Sequence, residues 1–194
     1  MSTPVLALLV AVVALSVAGC RDARRLDDVQ VDAVRVGSDD VLSEAESRFV
    51  ARTDGRNADI RAALVDFFDA FEAGDVPSMS RATVSVTVAV DDFVTDLEAQ
   101  SDPAVVATYA PYEPVWGRVI EALVGMRTGV EFSDLAAIEA SARLYDRSIG
   151  EITALDAVQV ERLRPVLGDE QLRRLLEQQG VDPAIFGLTG RPAA

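Results

Sequence analysis

The sequence predicts an all-α protein, a bundle of about five to seven amphipathic helices behind a cleaved N-terminal signal and a short stalk. Three observations lead there. Apolar residues recur at helical spacing through most of the chain after residue 38. Short turn signals and prolines separate these stretches. One stretch alternates like a strand, but no second strong candidate exists to pair with it. Several amphipathic helices joined by short connections bury their stripes best against one another.

The first of these helices is capped by Ser38, Asp39 or Asp40 and runs to about Arg52, with Leu42, Ala45 and Phe49 as its stripe. TDGRN, 53 to 57, reads as a turn, with Asn57 as the next cap. The next segment is the clearest helix: Ile60, Leu64, Phe67, Phe68 and Phe71 share a face, and Gly74 closes it. Residues 78 to 100 carry two periods at once. Val84, Val86, Val88 and Val90 alternate, while Met79, Ala82, Val86, Val90, Phe93 and Leu97 form a helical stripe. The helix is preferred, because β-branching disfavours it only slightly.

Asp102 caps a short helix with Pro103 at its first position. Another restarts near Pro114 and ends near Arg127. Ser133 caps the next, whose stripe is Leu135, Ile138, Ala142, Tyr145, Ile149 and Ile152. Two short helices follow: one over about 156 to 164, stopping before Pro165, and one from Asp169 to Gly180 with Leu172, Leu175 and Leu176 inward. Asp182-Pro183 starts a last turn that puts Phe186 on the core, and 188 to 194 read as a frayed tail. The helical domain thus covers 38 to 187.

The chain has 194 residues and a formal net charge of −14. Such a surface repels phosphate backbones and anionic headgroups, which argues against nucleic-acid partners. All basic residues are Arg; there is neither Lys nor His. Histidine-dependent triads, Schiff-base lysines and His/Cys zinc sites are therefore excluded. No catalytic residue, cofactor or metal is expected.

Residues 1 to 19 carry no charged side chain, and 5 to 19 form an unbroken apolar run that ends at Cys20, the only cysteine. Such a run suits a cleaved secretory signal or an uncleaved anchor helix. Val17-Ala18-Gly19-Cys20 resembles the lipobox of bacterial lipoproteins: an aliphatic residue, two small residues, then Cys. The resemblance covers only about the first twenty residues. It implies cleavage between Gly19 and Cys20, diacylglycerol on the Cys20 thiol, and a membrane tether on the extracytoplasmic face. Arg21, Arg24 and Arg25 oppose it under the positive-inside rule. Residues 20 to 37 are then the lipidated Cys and a stalk, whose residues 21 to 37 reach roughly 55 Å when extended at about 3.3 Å per residue.

Three groups of residues are candidate sites. Asp66, Asp69 and Glu72 share a helix face, where a hard cation or plain solvation would suit them. Asp91, Asp92 and Asp96 form a second acidic set. YAPYEPVW, 109 to 116, sets Tyr109, Tyr112 and Trp116 around Glu113 among prolines. These four are candidate ligand-binding residues, for ring faces and a carboxylate can hold a cation; the alternative is an apolar plug. VQVERLRPVL and EQLRRLLEQQ are loosely similar to the Gln- and Arg-rich helices of small periplasmic chaperones, a likeness too short to carry function. The expected function is a non-catalytic binding or adaptor module at the envelope, with an envelope protein as partner. A carboxylate- or metal-dependent hydrolase and a structural or chaperone-like protein are the alternatives.

Overall fold

The computed structural model describes residues 43 to 178 and 181 to 188. The expected signal, Cys20, the stalk and the cap at 38 to 40 lie outside them. All secondary structure among the described residues is helical, as expected of an all-α protein: α1 (Glu44–Ala73), α2 (Val76–Glu98), α3 (Pro103–Tyr109), α4 (Tyr112–Phe132), α5 (Leu135–Gln178) and a terminal 3-10 turn (Pro183–Phe186). No helix among them is long and apolar enough to cross a membrane.

The described chain forms two compact units. Residues 55 to 152 make one; 43 to 54 together with the stretch from Thr153 onward make the other.

The contiguous unit contains α2, α3, α4 and the adjoining parts of α1 and α5. On α1, Ile60, Leu64 and Phe67 are buried, and Phe67 stands edge-on to Phe68 with centroids 5.4 Å apart. Gly74 ends the helix at φ +68. Its N–H donates to the Phe71 carbonyl and the Asp75 N–H to that of Ala70, the paired bonds that close a helix through a left-handed glycine. α2 buries the whole predicted stripe, Met79, Ala82, Val86, Val90, Phe93 and Leu97. Its hydroxyls satisfy themselves locally: Thr83 donates to Met79 O, Ser85 to Arg81 O and Thr87 to Thr83 O. α2 packs along α4, which buries Val115, Val119, Leu123 and Met126.

α4 and α5 approach closely at two glycines. A Cβ on Gly125 would lie 2.2 Å from Ser141 Oγ; one on Gly129 would lie 2.6 Å from Ile138 Cγ1 and 3.0 Å from its backbone nitrogen. At Gly129 the obstacle includes backbone, which cannot give way; at Gly125 it is the Ser141 side chain, whose hydroxyl can turn aside while its Cβ stays 3.1 Å away.

The discontinuous unit buries Phe49 and Val50 from α1, and Val160, Leu163, Leu167, Leu172 and Leu176 from α5, with Val181, Phe186 and Leu188. Glu46, 6% exposed, receives both Arg162 terminal nitrogens, at 3.1 and 2.5 Å. Arg162 Nε donates to Gln159. Arg164 ties three places together: it pairs with Glu161 at 2.6 Å and Asp169 at 3.1 Å, and donates to the Phe186 carbonyl at 3.2 Å.

Six expectations need correction. TDGRN is not a turn; α1 runs through it. The Thr53 hydroxyl donates to the Phe49 and Val50 carbonyls and is buried, so a residue expected to leave the helix is folded onto it. α4 extends past Arg127 to Phe132, and Ser133 is its left-handed C-cap (φ 55) rather than the cap of α5. That cap is Asp134, whose carboxylate accepts from the Ala137 N–H. Leu135 is consequently 74% exposed, not inward. The helices expected at 133–152 and 156–164 are one, continuing through Pro165; the non-helical Gly168 (φ 72, ψ 160) then separates it from the helix that follows Asp169, as expected. Proline removes a single backbone bond; glycine permits a backbone few other residues adopt. Finally Leu188, placed in the tail, is buried. The Asp102 and Asp182 caps stand as expected, each carboxylate accepting from a backbone N–H two residues on.

Candidate functional site

The two-residue connection between α1 and α2 fixes how their ends meet. Gly74 turns the chain and Asp75 caps α2, its carboxylate accepting from the Ser78 N–H at 3.1 Å and from the Ser78 hydroxyl. Arg81 donates to the same hydroxyl at 2.8 Å. A cleft of about 440 Å³ opens beside this turn. Its polar lining is Asp66 and Asp69 from α1 and Asp75, Ser78, Arg81 and Ser85 from the turn and α2; Ala70, Ala73 and Ala82 supply the apolar part.

Three carboxylates stand against one guanidinium, so the cleft favours a ligand with a positive group. The Ser78 hydroxyl and N–H hold the Asp75 carboxyl below the usual carboxylate range, with Arg81 adding to the effect. A group kept ionised in this way is suited to binding and ill suited to donating a proton. No cluster of three or more potential metal ligands occurs among the described residues.

Of the residues singled out from the sequence, Asp66 and Asp69 line the cleft, while Glu72 is exposed outside its lining. Asp91 and Asp92 are exposed on α2; Asp96 is set apart from them, paired with Arg56 at 2.9 Å. The four candidate ligand-binding residues divide. Tyr109, Tyr112 and Trp116 are 1%, 3% and 9% exposed, and only Glu113 faces solvent. Tyr109 ends α3, Tyr112 starts α4, and their rings stack 6.4 Å apart. Buried rings offer no open face to a cation, so this arrangement is that of an apolar plug. Gly19 and Cys20 lie outside the described residues.

Sequence reasoning passed over Asp75, Ser78 and Arg81. The signal was present: an Asp directly after the closing Gly, with Ser three residues on, marks a helix start whose cap must lie beside the acids ending the previous helix. No family model, curated protein or solved structure matches the chain.

Proposed function

We propose that the chain is a lipid-anchored extracytoplasmic module that binds a partner or small ligand and performs no chemistry itself. The observation that carries this reading is Val17-Ala18-Gly19-Cys20 at the end of an unbroken apolar run. Two or more acyl chains on Cys20 would hold the protein stably at a bilayer, since each buried CH₂ contributes about 0.8 kcal/mol. The lack of His and Lys supports a binding role, as does a cleft whose best-held carboxylate stays ionised. The cleft's charge favours a partner or ligand that presents a guanidinium or ammonium group.

The test is the mass of the N-terminal peptide of the mature protein, beside membrane fractionation of Cys20→Ala. The reading expects a diacylated Cys20 at the mature terminus, and an unprocessed or released variant. A C20A protein that matures to the wild-type size and stays with membranes would sink it.

A further inference from the structure

α2 is apolar on two faces. Its buried stripe accounts for Val86 and Val90; Val84 and Val88 remain, 61% and 55% exposed one helical turn apart. The strand-like alternation of the sequence is the combined trace of these two faces. Along the outer ridge the order is Arg81, Val84, Val88, then Asp91 and Asp92, all exposed. Arg81 bonds to the Ser78 hydroxyl, and among the described residues it has no carboxylate within ion-pair distance; nor has Asp91 or Asp92 a guanidinium.

This order is self-complementary. If two α2 helices are laid antiparallel about a two-fold axis at the level of Val86, Val84 of one copy faces Val88 of the other. Arg81 then faces Asp91 and Asp92, and the symmetry repeats both contacts. Ridges of i, i+4 residues interlock where helices cross, so the central turns touch and the ends diverge. We propose that the outer face of α2 is a homodimer interface, with a valine centre and a guanidinium–carboxylate contact on either side. A contact through one helix lies at the small end of specific interfaces, so association is weak and concentration-dependent. The inference rests on α2 alone and holds whether or not Cys20 is acylated.

Charge exchange provides the test, read by sedimentation velocity on the full chain in mild detergent. Arg81→Glu alone, and Asp91→Arg with Asp92→Arg, should each weaken self-association at least about tenfold. Mixed together, the two variants should associate with each other, because each supplies the charge the other now needs. Val84→Asp should abolish the dimer in every background. All these positions are solvent-exposed, and unchanged helical ellipticity would show that the variants fold. A wild-type chain that stays monomeric at high micromolar concentration overturns the proposal. So does a mixture that associates no better than its components.

Discussion

The two compact units are held together in different ways. The contiguous unit, residues 55 to 152, relies on stripes that meet their partners within a short stretch of chain, with Phe67, Val86 and Leu123 at 0% exposure. The other joins segments far apart in sequence, and a bidentate ion pair spans 116 positions between Glu46 and Arg162. Local apolar packing is tolerant of detail. A half-buried charge pair is not, because losing one member strands the other. The contrast implies that the first unit loses most when a cavity is opened and the second when a charge is left unpaired.

The largest test of that contrast is Phe67→Ala, which removes a fully buried ring and should destabilise the protein by about 3–5 kcal/mol. Glu46→Ala should cost about 2–3 kcal/mol, since Arg162 is partly solvated and can recover some hydration. Trp116, the only tryptophan, lies in the contiguous unit and reports its unfolding separately from helical ellipticity. The backbone of α1 and α5 stays helical across both unit boundaries. Glu46→Ala should therefore move the Trp116 transition together with the ellipticity. A Trp116 transition left at its wild-type midpoint would show that the units melt independently.

Next in size are the close-approach glycines. Gly129→Ala meets a backbone atom and should cost about 1–2 kcal/mol after its gain in helix propensity. Gly125→Ala meets a serine hydroxyl that can rotate away, so its denaturation midpoint should stay nearer wild type. Equal losses at both sites would mean that the helices shift as a whole. The smallest effect belongs to Asp75. Its carboxyl titrates lower in the folded protein than in the unfolded chain, so its contribution is present above the unfolded value of about 4 and fades as pH falls through the lowered one. Urea midpoints of wild type and Asp75→Ala should differ at neutral pH and converge in acid.

The sequence foreshadowed features that local chemistry decides. Gly74, the Asp102 and Asp182 caps and the α2 stripe each follow from one residue type at one position. It misled where tertiary contact overrode a local signal. TDGRN carries every mark of a turn, yet the flanking apolar residues are buried on one continuous helix and Thr53 folds onto it. Pro165 suggested a stop, but the helix runs through it and breaks three residues later at Gly168, beside the Asp169 expected to start the next helix. The cleft was half legible: Asp66 and Asp69 stood out as a helix face, while Asp75 and Arg81 join them only through a two-residue turn whose geometry had to be seen. The tyrosines and the tryptophan drew attention by their chemistry, and the structure places their rings inside.

Arg164 reaches back to Glu161, forward to Asp169, and across to the carbonyl of Phe186, which is synthesised 22 residues after it. A chain made from its N-terminus onward supplies these acceptors one at a time, nearest first. The final contact waits until Phe186 has been made, so a polypeptide stopped just short of it carries an arginine with one fewer acceptor. Arg164 thus records in its partners the order in which this stretch of the chain is made.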